Sequence, residues 1–213
     1  ALVSASPERF LGVRGARVST HPIKGTRPRG GDEREDAALA DELARDPKER
    51  AENLMIVDLM RNDLSRVCDP ATVATEGFLR VESHPRVHQL VSTVTGRLRD
   101  GCDVFDAIEA CFPGGSMTGA PKRRAVEILA SLERAPRGLY SGCFGWIDAG
   151  GDAELAMTIR SVELRGLGGD RRAARARGGA GGGATADSDP AREEAEKALK
   201  AAPLLAALGA REP

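Results

Sequence analysis

The sequence predicts an α+β fold in which antiparallel sheets pack against helices. Two runs rich in β-branched residues, at 73–82 and 87–98, are typical of strands. A capping box that begins at Asp46, with Pro47 at the first helical position, predicts a long helix. Two strand-like runs on either side of the glycine pair 150–151 indicate a hairpin. Strands, helices and hairpins that alternate in this way favour an α+β domain with antiparallel sheets.

The other elements follow from local signals along the chain. Gly15 marks a hairpin, and the breaker-rich stretch 27–35 is typical of a mobile loop. The helix after Asp46 carries a carboxylate at each end of an apolar stripe, at Glu52 and Asp63. In chain order the sequence predicts short strands within 1–20, helices at 37–45 and 47–66, strands at 73–82 and 87–98, a helix from 103 to 112, a glycine-rich loop at 114–122 opening a helix to 133, a hairpin of 140–148 and 154–164, a flexible loop at 165–183, and a last helix from 189 that Pro203 breaks or kinks.

Composition excludes several classes of function. The formal charge is -1, so the chain has no net positive charge that would attract nucleic acid. Aromatic residues make up only 3%, which argues against a surface on which bases stack. No apolar run has membrane-spanning length. The four cysteines show no CxxC spacing and are typical of free thiols in a reducing cytoplasm. Because the chain opens inside an apolar run at Ala1, we expect residues 1–213 to be one domain that is truncated at its N-terminus.

Lysine is rare in this chain, with five lysines beside twenty-six arginines. Lys24 lies in a PIKGT segment, where the stiff Pro22 and the permissive Gly25 could fix a turn that presents the amine. A lysine can lose its proton in a tuned site and attack carbon, whereas arginine cannot. The alternative is a solvated lysine in a surface turn. Glu8 is likewise either a general acid, if burial raises its pKa, or a carboxylate that faces water.

Three further patterns allow two interpretations each. The loop at 114–122 does not match a P-loop, but its N–H groups and the helix behind it suit a carboxylate; it could also be a plain loop–helix junction. Glu193, Glu196 and Lys200 share a helix face and could hold Mg²⁺, or could form surface ion pairs. Arg160, in a predicted strand, either points inward to an anionic partner or outward to solvent.

Eight segments follow one another along the chain: SPERFL at 6–11, PIKGT at 22–26, AENLMIVDLMRNDL at 51–64, VHQLVSTV at 87–94, GGSMTGAPK at 114–122, RGLYSG at 137–142, IRS at 159–161 and GGGATADSDP at 181–190. Together they resemble the chorismate-utilising enzymes, which include anthranilate, isochorismate, salicylate and aminodeoxychorismate synthases. The resemblance covers nearly the whole chain and implies an α+β chorismate-binding fold. PIKGT is most similar to the branch of aminodeoxychorismate synthase component I, because anthranilate-forming relatives usually carry alanine where Lys24 stands.

The resemblance implies a role for each matching residue. Lys24 resembles the amine nucleophile that attacks C2 of chorismate, and Glu8 resembles the general acid that protonates the departing C4 hydroxyl. The implied Mg²⁺ ligands are Glu52, Glu193 and Glu196. The implied substrate contacts are Thr26, Thr118, Gly119, Lys122, Tyr140, Arg160 and Lys200.

The activity implied by the resemblance is Mg²⁺-dependent amination of chorismate at C4, for 4-aminobenzoate and folate synthesis. Ammonia would come from a separate glutamine amidotransferase subunit, because the chain has no Gly-flanked catalytic cysteine. The alternatives are anthranilate synthase component I and an inactive fragment that only binds or docks. The chain departs from the family at Gln89, where many relatives have histidine, at the long Arg-rich stretch before Glu193, at 184–185 and at Glu194.

Overall fold

A computed structural model describes residues 1–168, 174–185 and 188–209 of the chain. It confirms the α+β class, with antiparallel strands and helices interspersed along the chain. The chain divides into two compact units. The first unit consists of Ala1–Pro7, Pro136–Cys143 and Met157–Pro213, and the second of Glu8–Ala135 and Phe144–Ala156.

The bounds of the elements are as follows. The strands are β1 (Leu2–Ser4), β2 (Arg9–Arg14), β3 (Arg17–Thr20), β4 (Ile23–Pro28), β5 (Ala74–Ser83), β6 (Val87–Arg97), β7 (Cys143–Ile147), β8 (Ala153–Met157), β9 (Ser161–Arg165) and β10 (Arg175–Gly178). The helices are α1 (Glu33–Arg45), α2 (Pro47–Ser65), α3 (Val104–Cys111), α4 (Lys122–Leu132) and α5 (Pro190–Ala207), with 3₁₀ turns at Pro70–Thr72 and Gly115–Met117.

Strand β6 is the centre of the main sheet, which runs in the order β4-β6-β3-β2-β8-β7. Strand β5 pairs with β6 along nearly its whole length, from Ser83 opposite His88 to Ala74 opposite Thr95. On the other edge, β4 covers the first half of β6 and β3 covers the second half. Because β3 and β4 follow one another in sequence, they form one path along β6 that is interrupted only at residues 21–22.

The core of the second unit lies where α2 packs against β6. Leu90 and Val94 of β6 are fully buried, and several apolar side chains of α2 are almost completely buried. These α2 side chains are Ile56, Val57, Leu59, Met60 and Leu64. Burial of each such side chain contributes about 1.5–3 kcal/mol relative to exposure, so this contact carries much of the unit's stability.

A buried polar network crosses the same contact. The Ser92 hydroxyl donates to Asn53 Oδ1 at 2.6 Å, and Asn53 Nδ2 donates to the Leu90 carbonyl at 3.2 Å. The Leu79 amide donates to Ser92 Oγ at 2.9 Å, at a point where β5 bulges and Leu79 has a φ of 53°. The network therefore fixes α2, β5 and β6 to one register.

The first unit contains a three-stranded antiparallel sheet in the order β1-β9-β10 and the helix α5. Val3 of β1 pairs with Val162 of β9, and Gly178 of β10 also lies opposite Val162. Asp189 caps α5 by accepting from the Arg192 amide at 3.0 Å. The prediction of a helix start at 189–190 is confirmed.

Most predicted elements are confirmed. Asp46 caps α2 by accepting from the amides of Lys48 and Glu49, and Asp103 and Asp106 form a capping box at α3. The strands at 73–82 and 87–98 correspond to β5 and β6. The Gly15 hairpin joins β2 to β3. The four cysteines are free thiols, as expected.

The prediction for residues 22–35 is wrong in two respects. PIKGT is not a loop, because most of it lies in β4 and pairs with β6. The polar stretch after it is split between the end of β4 and the start of α1, which begins at Glu33 under an Asp32 cap. The polar residues reflect an exposed face of these elements and not a long loop.

Three predictions in the C-terminal part are corrected. The run 154–164 is not one strand, because Arg160 adopts a φ of 49° and separates β8 from β9, which belong to different sheets. The stretch 165–183 contains β10, although part of it, 169–173, lies outside the described residues. Of the two outcomes predicted at Pro203, a break is wrong, because α5 contains this proline and continues to Ala207. Across the described ranges, no helix has both the length and the hydropathy that a membrane span requires.

We predict that Ser92→Ala destabilises the protein by about 1–3 kcal/mol, because it leaves the Asn53 carbonyl and the Leu79 amide buried without their partner. Ser131→Ala is the matched control, since the exposed Ser131 hydroxyl bonds only to the Ile128 carbonyl of its own helix. The control should change stability by less than about 0.5 kcal/mol. Chemical denaturation of the two variants measures the difference, and equal losses would contradict the importance of the network.

Candidate active site

A bulge in β4 presents Lys24. Ile23 lies opposite Val91 and Thr26 lies opposite Gln89, so three steps along β4 match only two along β6. The extra residue falls at Lys24-Gly25, and Gly25 has a φ of 84°, a conformation that glycine adopts without strain. A bulge turns a side chain out of the regular alternation of a strand. Lys24 is therefore presented by a bulge in β4, and not by the turn that Pro22 and Gly25 predict.

The Lys24 ammonium group faces the carboxylate of Glu52 on α2. Lys24 Nζ lies 3.9 Å from Glu52 Oε2, and the two side chains are 19% and 12% exposed. Lys48, one turn before Glu52, approaches the other oxygen at 3.8 Å. The structure therefore brings together two of the residues singled out in the sequence, a half-buried amine and a half-buried carboxylate.

Glu8 is buried immediately before β2. Glu8 is only 8% exposed, and burial raises the pKa of its carboxyl group to about 7. A hydrogen bond with the Ser116 side chain and the positive charge of Lys24 oppose this rise. A carboxyl group with a pKa near neutrality can donate a proton at physiological pH. Of the two interpretations open for Glu8, the buried acid is the one that its position supports.

The glycine-rich loop between α3 and α4 lies against α2. Gly114 and Gly115 are buried, and a methyl group added at Gly115 would lie 3.0 Å from Leu59 Cδ2. The Thr118 hydroxyl donates to the Gly114 carbonyl at 3.1 Å, which closes the loop on itself. Ser116, inside this loop, is the residue that bonds to Glu8. Thr118 and Gly119 are partly accessible on the same loop.

Lys122 begins α4 and forms a nearly buried ion pair. Its Nζ donates to Asp63 Oδ2 at 2.5 Å and to the Cys111 carbonyl at 2.7 Å. Burial raises the pKa of Asp63, although the Lys122 ammonium opposes the rise. Asp63 was expected at the end of the α2 stripe, but its partner was not identified from the sequence. A carboxylate on an otherwise apolar helix face is the signal that a cation packs against it.

Two positions near the strand edge complete this unit. Thr26 is exposed in β4 opposite Gln89. His88, next to Gln89, is 1% exposed and bonds to Ser83 Oγ and to Asp36 Oδ1, each at 2.8 Å. His88, which precedes Gln89, is therefore held in place by its hydrogen bonds to Ser83 and Asp36.

In the first unit, Tyr140 packs against a glycine-rich segment. A methyl group added at Gly179 would lie 2.3 Å from the Tyr140 ring, and one added at Gly181 would lie 3.0 Å from its hydroxyl oxygen. A small cavity beside the ring is lined by Arg137, Thr158 and Arg177, among others. Two guanidinium groups near a tyrosine are a suitable environment for an anion.

The charged residues of α5 form both helix-face pairs and a contact with the glycine segment. Lys200 Nζ lies 2.6 Å from Glu196 Oε1 and 3.4 Å from the Gly181 carbonyl, to which it donates. A methyl group added at Gly182 would lie 2.9 Å from Glu193 Oε2, so this carboxylate packs closely on the backbone. Lys197 pairs with Glu194 at 2.7 Å. Arg160 is exposed in the link between β8 and β9, directly before β9, and not inside a strand.

The predicted Mg²⁺ ligands fall into different units, Glu52 in the second and the α5 pair in the first. Within either unit, the described residues include no group of three His, Cys, Asp or Glu side chains that could hold a metal ion. The donors nevertheless fit Mg²⁺ chemically, since all are carboxylates and Glu193 and Glu196 lie one turn apart on α5. The ligand set stays a prediction.

Comparison with known proteins identifies the fold and the family. The family described as chorismate binding enzyme matches residues 1–206. The solved structure of anthranilate synthase component I from Streptococcus pneumoniae superposes with a TM-score of 0.78 at 35% identity, covering 94% of this chain and 42% of that one. The described chain therefore has the chorismate-binding fold.

Two curated relatives have similar levels of identity. Aminodeoxychorismate synthase from Streptomyces griseus is 52% identical over 206 residues, which are 96% of this chain and 28% of the relative. Anthranilate synthase component 1 from Mycolicibacterium smegmatis is 46% identical over 209 residues, which are 98% of this chain and 38% of the relative. The chain spans well under half the length of these relatives, and it belongs to the family of chorismate-binding enzymes.

Proposed function

We propose that the chain is part of an aminodeoxychorismate synthase component I, which replaces the C4 hydroxyl of chorismate by an amino group. The observation that carries the proposal is Lys24, a half-buried lysine that β4 presents 3.9 Å from the Glu52 carboxylate. A nucleophilic amine is required here only if the enzyme itself forms a covalent bond to the ring of chorismate. The 52% identity to the Streptomyces griseus aminodeoxychorismate synthase supports the same branch.

The reaction would proceed in two displacements. The Lys24 amine, once deprotonated, forms a bond to C2 of chorismate, the two ring double bonds shift, and the C4–oxygen bond breaks. Glu8 gives its proton to the departing hydroxyl, which leaves as water. Ammonia then forms a bond to C4, the double bonds shift back, and the C2–nitrogen bond to Lys24 breaks. The amine is regenerated, and Glu8 regains a proton from the incoming ammonia or from solvent.

The remaining residues would bind the substrate dianion. Thr26, Thr118, Gly119, Tyr140, Arg160 and Lys200 remain proposed contacts, and an arginine such as Arg160 grips a carboxylate with two parallel bonds. Glu52, Glu193 and Glu196 would hold Mg²⁺, which when bound supplies positive charge for the ring carboxylate. By the same proposal, ammonia comes from a glutamine amidotransferase subunit and the product serves 4-aminobenzoate synthesis.

Anthranilate synthase component I is the second candidate, because the 46% identity to the Mycolicibacterium smegmatis enzyme is close to that of the first. The two reactions differ in the ring carbon that receives ammonia. If ammonia attacks C2 directly, no lysine nucleophile is needed. The role of Lys24 therefore decides between them.

We predict that Lys24→Ala abolishes formation of 4-amino-4-deoxychorismate and of any covalent adduct with the protein. The small side chain leaves space at C2, so ammonia attack should shift toward an anthranilate-type product. Product analysis with chorismate, Mg²⁺ and ammonia measures this, in this chain and in the longest natural chain that contains it. Lys197→Ala is the control, because Lys197 pairs with Glu194 on an accessible helix face.

Full formation of the 4-amino product by Lys24→Ala would rule out the nucleophile. Formation of anthranilate by the unmodified protein would favour the second candidate.

We predict that the pH profile of kcat/KM contains an ionisation near pH 7, because Glu8 must be protonated to donate. Glu8→Gln should remove this dependence and lower kcat by about 10²–10⁴-fold. Stability provides a second measurement. Since the folded state holds the Glu8 proton more tightly than the unfolded state does, stability present below pH 4.5 is lost as the pH rises through about 7.

The loss of stability should amount to about 3 kcal/mol, and Glu8→Gln should abolish it. Glu109→Gln, an exposed glutamate on α3, is the matched control and should leave both profiles unchanged. Identical pH profiles for Glu8→Gln and the unmodified chain would exclude Glu8 as the acid.

We predict that Glu193→Gln and Glu196→Gln raise the Mg²⁺ concentration needed for half-maximal activity. Loss of a direct ligand should cost at least the ~10–100-fold that is typical for loss of an outer-shell partner. Glu194→Gln is the matched control, because its carboxylate pairs with Lys197 instead. A magnesium titration of all three variants tests this. If they behave alike, the α5 carboxylates are surface ion pairs only.

A further inference from the structure

The ammonium group of Lys122 lies where three helices meet. It donates to Asp63 near the end of α2 and to the carbonyl of Cys111, the last residue of α3, and Lys122 is itself the first residue of α4. The last carbonyls of a helix lack a partner within the helix, and a cation there is favourable. One ammonium group thus joins the ends of α2 and α3 to the start of α4.

The same contact clamps both ends of the glycine-rich loop. Residues 112–121 leave from Cys111 and return to Lys122, and both termini of this segment meet at the one ammonium group. In between, Gly115 packs closely against Leu59, which lies one helical turn before Asp63 on α2. The loop is therefore held on α2 at two successive turns, and Ser116 lies between them.

Charge compensation argues against a substrate contact for Lys122. The side chains of Lys122 and Asp63 are only 15% and 5% exposed, and the carboxylate already neutralises the ammonium. Removing one member of a buried ion pair leaves an uncompensated charge, which is strongly destabilising. An ammonium group used in this way is suited to fixing structure and not to attracting a dianion.

We propose that Lys122 is a positioning residue that acts through the glycine-rich loop, holding Ser116 on Glu8, and that it does not bind the substrate carboxylates. This rests on the proposed function, since Glu8 is catalytic only if this site is the active site. Ser116 is part of this loop, so its position depends on how the loop is held.

The test uses Lys122→Met, Asp63→Asn and the double variant in the full chain, with Lys197→Met as the matched lysine control. Hydrogen exchange of the amides at 114–119 measures the loop, and carbon-13 NMR of the carboxyl group follows the titration of Glu8. Calorimetry with chorismate measures binding. Each single variant should speed loop exchange by at least tenfold, and the double variant should add little, because both remove one clamp.

Glu8 should titrate at a higher pH in both single variants, as it should in Ser116→Ala, because the bond that opposes the effect of burial is lost. A substrate contact predicts the opposite pattern. Asp63→Asn would then free the ammonium and tighten chorismate binding, Lys122→Met would weaken it, and loop exchange would stay at the level of the unmodified chain. That pattern would overturn the proposal.

Two safeguards keep the result decisive. If Lys122→Met fails to fold, Asp63→Asn alone carries the test, since a positioning role predicts faster loop exchange without tighter chorismate binding, and a substrate contact predicts unchanged exchange with tighter binding. Exchange and titration need no turnover. A chain that neither binds nor converts chorismate would therefore refute the proposed function, while the exchange rates would still decide the role of Lys122.

Discussion

The pairing of β6 on both edges is the constraint on which the candidate site depends. With β5 along one edge, the other edge has room for a single chain path, and β3 and β4 share it. Pro22 interrupts that path, yet its carbonyl still accepts from the Ser92 amide at 3.1 Å. The extra residue in β4 must then be accommodated between two fixed ends, and Lys24 is turned out of the sheet as a result.

The carboxyl groups of the second unit have different partners. Glu8 has a hydroxyl partner and a more distant cation, and burial raises its pKa to about 7. Asp63 is also buried, but an ammonium group contacts it directly. Glu52 is more accessible and faces two ammonium groups. Carboxyl groups of one unit therefore lie in distinct environments, and the buried Glu8 is the one whose environment suits a proton donor.

Local signals predicted the elements whose determinants are local. Asp46 and Pro47 define the start of α2 without help from the rest of the chain, and β5 and β6 carry enough β-branched residues to be recognised alone. The break at Arg160 has no such signal, because arginine is not a residue that favours a positive φ. Strand β10 is equally hidden, since its exposed, Arg-rich residues become a strand only by pairing with β9.

The candidate site was predictable in its residues but not in its contacts. Resemblance and residue type singled out Lys24, Glu8 and Glu52, and all three lie in the same unit. Ser116 and the pairing of Lys122 with Asp63 depend on how the loop packs on α2, which no spacing in the sequence encodes. Burial of Glu8, which raises its pKa, is likewise set by distant parts of the chain.

The scarcity of lysine has a practical consequence for chemical labelling. Amine-selective reagents have five side-chain targets in this chain, and the exposure of those amines divides them into two groups. The side chains of Lys48, Lys197 and Lys200 are 46%, 43% and 32% exposed, whereas those of Lys24 and Lys122 are 19% and 15% exposed. Mass spectrometry after brief acylation would therefore separate fast surface amines from the two shielded ones.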